Sequence, residues 1–199
     1  MKAAARRPYR MVARAEAAAQ TGERILDATV EVFWERPAAQ VSLDEIARRA
    51  GVTVQTVIRR FGGREGVFAA AGARESGRIR RQRDTAPVGD VAGAVRALMN
   101  HYEELGDRVL KLLAEEASMP ALKEIAARGR RLHRRWCERT FAPTLAGLSG
   151  VERARRLAQL VAVCDVYTWK LLRRDAALSR RQTELAVIEL LQPLTEGGC

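Results

Sequence analysis

The chain has 199 residues, of which 47% are hydrophobic and 30% charged, a balance typical of a folded globular protein. Aromatic residues make up only 5%, and Ala, Leu, Arg and Glu predominate, which favours helices over strands. The formal net charge of +11 favours polyanionic partners, nucleic acid before an acidic membrane surface. Residues 1–85 hold 17 basic and 10 acidic residues, so the N-terminal part is the more basic.

The cysteines and the hydropathy pattern indicate which cellular compartment to expect. Cys137, Cys164 and Cys199 form no CxxC pair and are odd in number, which argues against a disulfide framework and favours a reducing, cytoplasmic location. No uncharged run is long enough for a transmembrane helix, and the basic N-terminus lacks the apolar stretch of a secretory signal. We therefore expect no membrane partner.

Residues 1–20 are predicted to form a basic N-terminal arm, either flexible or a frayed extension of the first helix. Its arginines either reach into a DNA minor groove or add only non-specific attraction as a disordered tail. These arginines are Arg6, Arg7, Arg10 and Arg14. From Thr21 the apolar residues recur at helical spacing, and Pro37 stops this first helix.

The next segment predicts two short helices joined by a tight turn. Ser42 and Glu45 have the spacing of a capping box, in which each side chain bonds the backbone amide of the other residue. Gly51 follows the first of these helices and can take the left-handed conformation that ends a helix. Thr53 is the N-cap of the second helix, which ends at Phe61. The pattern indicates a helix-turn-helix, which places its second helix in the major groove.

The second of these helices turns apolar Val57 and Phe61 inward and leaves a polar outer face. A Gln can bond adenine edges, a Thr can contact bases or phosphate, and a Val methyl can touch thymine methyls. Nearby arginines would pair with phosphates and fix the register. The predicted DNA-binding residues are Ser42, Thr53, Val54, Gln55, Thr56, Arg59, Arg60 and Arg64. The alternative is a plain helical hairpin within a bundle, which the charge and polarity of this face disfavour.

The segment VSLDEIARRAGVTVQTVIRRFGGREGVFAAA, residues 41–71, resembles the signature of TetR-family transcriptional regulators. The resemblance is strong over residues 21–73, and residues 164–191 are similar to the last two helices of many members. It implies that residues 53–56 lead the recognition helix. Repression of transcription and dimerisation through the last two helices are also implied by the resemblance.

The same resemblance implies that Arg60 and Arg64 contact the DNA backbone. The chain departs from the family pattern at Ile58, where members often carry a Tyr that bonds a phosphate. Arg59 is the replacement we expect for that contact. Gly62 and Gly63 stand where a polar residue more often precedes the basic one.

The fold class expected is all-α, with an N-terminal three-helix helix-turn-helix domain and a C-terminal helical bundle for dimerisation and ligand binding. The predicted domains are the arm at 1–20, the DNA-binding domain at 21–84 and the sensing and dimerisation domain at 85–199. Helices of the last domain are expected near 90–105, 107–117, 119–146 (with a break near Pro143), 150–174 and 180–195. Further capping boxes are predicted at Ser149–Glu152 and Ser179–Gln182.

The last two predicted helices are apolar on more than one side, so each is expected to pack on its own chain and on a second copy. A homodimer also suits an inverted-repeat operator in double-stranded DNA, because two recognition helices multiply affinity. The predicted dimer-interface residues are Leu157, Leu160, Val161, Cys164, Thr168, Leu171, Leu185, Ile188 and Leu191.

A small-molecule effector of unknown identity is expected in the C-terminal domain. The candidates for its pocket are His101, Tyr102, Trp136, Cys137, Tyr167 and Trp169, although aromatic residues in a bundle are more often plain core. His133 and Cys137 lie four residues apart but have no third ligand nearby, so no metal and no cofactor is predicted.

Other function classes have less support in the sequence. The chain has two histidines, and no catalytic triad or phosphate-binding glycine loop can be placed, so we expect no enzyme. A sequence-tolerant basic nucleic-acid binder and a helical interaction protein stay open as alternatives.

Overall fold

The structure of the protein is a computed structural model that describes residues 6–196, with their side chains from Arg14 onward. The regular elements within residues 6–196 are all helical, so the predicted all-α fold class is confirmed. The chain divides into two compact units. The first holds the residues up to Arg74 with Glu115–Ile125, and the second holds Glu75–Ala114 with the residues from Ala126 onward. Within the described part of the chain, the helices are too short or too polar to cross a membrane.

The first unit is built from long and short helices. They are α1 (Arg6–Glu35), a 3-10 turn (Ala38–Gln40), α2 (Leu43–Ala50), α3 (Val54–Phe61), the first half of α4 (Arg64–Arg83), a 3-10 turn (Glu116–Ser118) and the start of α6 (Pro120–Thr140). The described part of the predicted arm, residues 6–20, is thus an extension of the first helix. Arg14 is exposed, and Arg6, Arg7 and Arg10 lie outside the described side chains.

The core of the first unit explains why its short helices are stable. An isolated helix of eight residues is too short to persist in water, so α2 and α3 depend on burial. Each helix contributes fully buried side chains to this core: Ile25 and Val32 of α1, Ile46 of α2, Val57 of α3 and Val67 of α4. Burying one such side chain contributes about 1.5–3 kcal/mol. These residues hold α2 and α3 in a fixed geometry.

The second unit contains the second half of α4 and the remaining helices. These are α5 (Val91–Ala114), the rest of α6, α7 (Ala142–Leu145), α8 (Gly150–Val163), α9 (Val166–Lys170), a π-helical turn (Leu171–Asp175) and α10 (Arg180–Thr195). Its largest fully buried side chains include Trp169, Phe141, Leu98, Leu157, Leu160 and Leu191. The predicted domain boundaries after residues 20 and 84 stay predictions.

A single helix, α5, replaces the two helices predicted near 90–105 and 107–117. Gly106, which lies between those two predictions, is buried inside α5. A Cβ added to Gly106 would lie 2.5 Å from Cζ3 of Trp169. The glycine therefore makes room for an indole ring and does not end the helix.

The helix predicted over 150–174 is broken after Val163. Asp165 begins α9 as its N-cap, because its carboxylate accepts a hydrogen bond from the backbone N–H of Tyr167. The Tyr102 hydroxyl donates to the Cys164 carbonyl at 3.0 Å, which satisfies a carbonyl at the break. Asp is a common N-cap residue, but the apolar residues around Asp165 continue at helical spacing, so the sequence did not predict the break.

Of the predicted capping boxes, the one at α10 forms completely. The Ser179 hydroxyl accepts from the Gln182 N–H, and the Gln182 side chain accepts from the Ser179 N–H. At α8 the prediction is wrong, since Ser149 makes no capping hydrogen bond. The next residue, Gly150, has a φ of +51°, which turns the chain away from the geometry of a box.

At α2 only half of the predicted box forms. The Ser42 hydroxyl accepts from the Glu45 N–H at 3.2 Å. The Glu45 carboxylate does not return this bond but binds the Arg48 guanidinium, with a shortest distance of 2.7 Å. The pair with Arg48 joins two charged groups through two hydrogen bonds, whereas a backbone N–H would donate only one.

Candidate nucleic-acid interface

The turn between α2 and α3 is closed by backbone hydrogen bonds around one glycine. Gly51 has φ of +65° and ψ of +40°, the left-handed conformation predicted for it. Its N–H donates to the carbonyls of Ala47 and Arg48, and the Val52 N–H donates to Ala47 at 3.0 Å. The chain then starts α3 in a new direction, so the predicted helix-turn-helix is observed.

The first turn of α3 is fixed by two threonines. Oγ1 of Thr53 accepts from the Thr56 N–H at 3.2 Å, which confirms Thr53 as the N-cap. The two threonine hydroxyls also lie 2.9 Å apart and share a hydrogen bond. Both side chains are therefore ordered before a partner arrives, which lowers the entropy cost of binding.

The outward face of α3 contains most of the residues predicted to contact DNA. Val57 is fully buried, whereas Gln55 is exposed and makes no hydrogen bond to another described residue. The predicted residues exposed here are Thr53, Gln55, Arg59 and Arg60, with Val54 and Thr56 half-buried beside them. Ser42 is exposed at the start of α2. Their contact with DNA stays a prediction.

The arginines of α2 are already neutralised within the unit. Arg48 lies 2.7 Å from Glu45, and Arg49 donates to Glu35 at 2.7 Å. The hydrogen bond from Arg49 lowers the pKa of Glu35, and the bond from Arg48 lowers the pKa of Glu45. These pairs leave little free charge on α2 for a phosphate.

Arg59 and Arg60 carry the free positive charge of α3, since neither forms an ion pair with another residue in the described range. The Arg60 guanidinium lies against α1, because a Cβ added to Gly22 would lie 2.5 Å from Nη2. Gly22 makes room for the Arg60 guanidinium, and the sequence analysis did not predict this role. A glycine inside a helix costs about 1 kcal/mol of stability relative to alanine, so its presence there can indicate that another group approaches the backbone closely.

The guanidinium of Arg64 already donates hydrogen bonds within the first unit. Its Nε donates to the Val41 carbonyl at 2.9 Å, and its Nη2 donates to the Ala38 carbonyl. Its Cζ also lies 5.8 Å from the ring centroid of Phe68. Arg64 therefore holds the segment before α2 and is half-buried there, and its contact with the DNA backbone stays a prediction.

In the second unit, five of the six candidate pocket residues are buried: His101, Tyr102, Trp136, Cys137 and Trp169. The ring centroids of Tyr102 and Trp169 lie 5.8 Å apart, and those of His101 and Tyr102 lie 5.1 Å apart. Tyr167 is 53% exposed and does not join this group. As ligand contacts, the buried five stay a prediction.

Two cysteines lie in the same core. Cys137 Sγ is 3.8 Å from His133 Nε2. A hydrogen bond with Cys164 is the main cause that lowers the pKa of Cys137 to about 6, and the same bond raises the pKa of Cys164 well above its ordinary value. Among residues 14–196 no group of three His, Cys, Asp or Glu side chains is arranged to hold a metal ion.

Four of the predicted dimer-interface residues belong to the core of the second unit instead. Leu157, Leu160, Cys164 and Leu191 are 0–1% exposed, so they have no surface to offer a second chain. The sequence cannot separate two apolar faces of one helix, which is why these residues were assigned to the interface. Of the other predicted residues, Leu171 and Leu185 are exposed, while Val161, Thr168 and Ile188 are half-buried. Further exposed apolar residues of this unit are Val88, Val151, Tyr167 and Leu190.

Comparison with known proteins identifies the first unit. Residues 25–71 match the family model of bacterial regulatory proteins, tetR family. Over 53 residues the chain is 43% identical to an uncharacterized HTH-type transcriptional regulator, TtgW, of Pseudomonas putida. That match covers 27% of this chain and 40% of the relative, so the chain spans less than half of the relative it matches.

Solved structures extend the likeness to the tetR-type fold of both units. A transcriptional regulator from Rhodococcus sp. Rha1 has a TM-score of 0.64 at 21% identity, over 90% of this chain and 96% of that one. The transcriptional regulator FadR from Bacillus subtilis, in complex with stearoyl-CoA, has a TM-score of 0.63 at 16% identity, over 88% of this chain and 98% of that one.

The tetR-type pattern makes one position of α3 unusual. Ile58 is 39% exposed on the outward face, where the resemblance leads one to expect a tyrosine hydroxyl. An isoleucine has no donor for a phosphate, but its methyl groups can pack on thymine methyls or sugars. The expected replacement of the missing contact by Arg59 stays a prediction.

Proposed function

We propose that the protein is a tetR-type transcriptional repressor that binds an inverted-repeat operator as a homodimer and is released by a small-molecule ligand. The observation that carries this proposal is the outward face of α3, where ordered threonines, an unpaired glutamine and two unpaired arginines lie together. Such a face combines groups that read bases with groups that bind phosphates.

The division of labour on α3 follows from chemistry. Gln55 is exposed and can donate and accept at the N7 and N6 atoms of an adenine. Arg59 carries a charge without a protein partner and would bind a phosphate, which fixes the register. Ile58, between the polar residues, suits a thymine methyl. The proposal therefore predicts that Gln55 contributes specificity and Arg59 contributes affinity.

The homodimer is supported by the apolar residues that the second unit leaves exposed. Leu171 is 60% exposed and Leu185 is 49% exposed. Exposed leucines on helices near the end of the chain favour a partner surface, and a second copy of this chain is the partner that an inverted repeat requires. Two recognition helices of eight residues also bind far more tightly than one.

Ligand response is supported by the fold and by the buried polar groups of the second unit. The FadR structure holds stearoyl-CoA, which makes ligand binding in this fold a reasonable proposal here. A ligand releases DNA only if it prefers a state in which the recognition helices are wrongly spaced for the operator.

The decisive experiment selects bound fragments from genomic or random DNA with the purified protein at about 0.15 M salt, where exposed charges more than about 8 Å apart are largely screened. We expect enrichment of one inverted repeat. Gln55→Ala should weaken discrimination at one base pair of each half-site about 5- to 150-fold, which corresponds to about 1–3 kcal/mol. Gln159→Ala, an exposed glutamine of α8, is the matched control and should select the same sequence as the wild type.

A second candidate, a sequence-tolerant nucleic-acid binder, is favoured by the net charge of +11. Its signature is binding to all DNA with an affinity that falls smoothly as salt rises. An enriched repeat contradicts it, because a specific regulator holds an advantage on the order of 10³–10⁷ over random DNA. Weak binding even at low salt would contradict both candidates and favour a helical interaction protein.

A further inference from the structure

A buried arginine in the second unit has no carboxylate partner. Arg83 is the last residue of α4 and is 7% exposed, and among residues 14–196 no Asp or Glu forms an ion pair with it. Other arginines of this unit are paired, for example Arg173 with Glu103 at 2.9 Å. An isolated buried guanidinium carries a desolvation penalty of several kcal/mol, so its retention needs an explanation.

The surroundings of Arg83 leave one N–H of the guanidinium without a hydrogen-bond acceptor. Its Cζ lies 5.2 Å from the ring centroid of Tyr102 and 5.5 Å from that of Trp136, so aromatic rings cover it. Nη1 lies 3.0 Å from Nδ1 of His133. Nε is buried and has no hydrogen-bond partner. An arginine binds a carboxylate in its own plane, through the N–H groups of one edge, and at Arg83 the Nε–H of such an edge has no hydrogen-bond partner.

A second unpaired atom lies in the same core. His101 is 2% exposed, and its Nδ1 is buried without a hydrogen-bond partner. Burial, and then the nearby charge of Arg83, lower the pKa of His101 to about 2. The imidazole is therefore neutral at physiological pH, and a neutral imidazole can donate one hydrogen bond. Buried polar atoms without partners are rare in folded proteins and point to a missing ligand or solvent molecule.

We propose that Arg83 and His101 form the anchor of an effector site for a monoanionic carboxylate with an apolar body. The inference rests on the proposed ligand response and names its ligand class. Arg83 contributes one positive charge and His101 none, so one negative charge balances the pair, whereas a doubly charged phosphate would leave an excess. The surrounding core, which includes Leu98, Met99 and Phe141, suits a hydrocarbon or aromatic body.

The acidic groups already in the core make no hydrogen bond to Nε of Arg83. The Asp165 carboxylate accepts from the Tyr167 N–H as the N-cap of α9. The Cys137 side chain has its partners in Cys164 and in His133, whose Nε2 lies 3.8 Å from Sγ, and His133 stands on the Nη1 side of Arg83. The Nε edge of Arg83 is left for a ligand oxygen.

The test uses the full chain, with straight-chain carboxylates from acetate to decanoate, and benzoate, as probes. Binding is followed by tryptophan fluorescence, since Trp136 lies on Arg83, and by the change in Tm. We expect saturable binding of at least one carboxylate and at least tenfold weaker binding of the primary amide of the same length. Arg83→Met should weaken binding at least about 30-fold, and His101→Asn should weaken it less. Arg155→Met, an exposed arginine of α8, is the charge-matched control and should bind as the wild type does.

No saturable binding by any of these carboxylates would overturn the proposal, as would equal binding of carboxylates and amides. If Arg83→Met fails to fold, the comparison of acid with amide in the wild type decides. The DNA selection uses no ligand and this titration uses no DNA. A chain that selects an operator but binds no carboxylate therefore refutes the ligand class alone, and the reverse result refutes the regulator.

Discussion

Gly106 of α5 lies against the indole ring of Trp169 of α9, so closely that a Cβ on Gly106 would be 2.5 Å from Cζ3 and 2.6 Å from Cη2. Trp169 is fully buried, and its Nε1 donates to Glu103 at 3.2 Å. The ring is therefore held on one edge by a hydrogen bond and on the other by a glycine. This contact fixes how α5 and α9 pack within the second unit.

We expect Gly106→Ala to lower the free energy of unfolding by about 1–3 kcal/mol, since overpacking outweighs the gain of about 1 kcal/mol in helix propensity. Gly129→Ala in α6 is the matched control, because a Cβ there meets no atom within 4 Å. The control should raise stability by up to about 1 kcal/mol. Urea denaturation measures both, and stabilisation of equal size by the two substitutions would show that Gly106 is not tightly packed.

Arg64 and Arg59 should separate stability from DNA binding. Arg64→Met removes the hydrogen bonds to the Ala38 and Val41 carbonyls and should lower the free energy of unfolding by about 1.5–3 kcal/mol. Arg59→Met should change stability by no more than about 0.5 kcal/mol but reduce the salt dependence of DNA binding by about one phosphate contact. Urea denaturation and operator titrations at several salt concentrations measure these effects. The stabilising role of Arg64 would be refuted if its substitution left stability intact and weakened DNA binding alone.

Two serines with the same sequence pattern should differ in their effect on stability. Ser179→Ala removes the hydroxyl of a complete capping box and should cost about 1 kcal/mol. Ser149→Ala removes a hydroxyl that makes no capping bond and should be close to neutral. Thermal or urea unfolding of the two variants checks this, and an equal loss would indicate that Ser149 caps α8 in solution.

His101 should make stability depend on pH. Its pKa is about 2 in the folded chain and 6.5 as a free side chain, so below pH 6.5 the unfolded chain binds a proton that the folded chain does not. The stability is complete above pH 6.5 and is lost as the pH falls, by about 2 kcal/mol between pH 7.5 and pH 5. Urea denaturation of the wild type and of His101→Gln at both pH values measures this. The same decline in both proteins would assign it to other groups.

A charge on the outward leucines should break the proposed dimer. Leu185→Asp places a carboxylate in the proposed interface and should shift the protein toward monomer in sedimentation velocity at micromolar concentration. Val88→Asp is the matched control, since Val88 is 54% exposed and precedes α5 in a loop. A wild type that is monomeric, or a Leu185→Asp variant that stays dimeric, would contradict the proposed interface.

Local patterns predicted the helix-turn-helix well because its signals are local. Gly51 as the left-handed C-cap and Thr53 as the N-cap depend on residues within one turn, and both are observed. The inward Val57 follows from helical periodicity alone. Residues within about four positions of one another are enough to predict such features.

Structural roles that depend on residues far away in the sequence could not be predicted. The role of Gly106 depends on Trp169, and the role of Arg64 depends on carbonyls more than twenty residues earlier in the chain. Leu157 and Leu160 could be assigned to the core only after the opposite face of their helix was seen. The unpaired Arg83 has no sequence signature, because a buried arginine and an exposed one look alike in a helix with five other arginines.

The shared hydrogen bond between the Thr53 and Thr56 hydroxyls has a consequence for the evolution of operator preference. Each hydroxyl has one proton, and one of the two protons forms the hydrogen bond between them. The pair therefore has a single O–H left to donate to a bound DNA. Replacing either threonine changes what the other offers. Among relatives that read different operators, positions 53 and 56 should therefore vary together, while Gln55 between them varies alone.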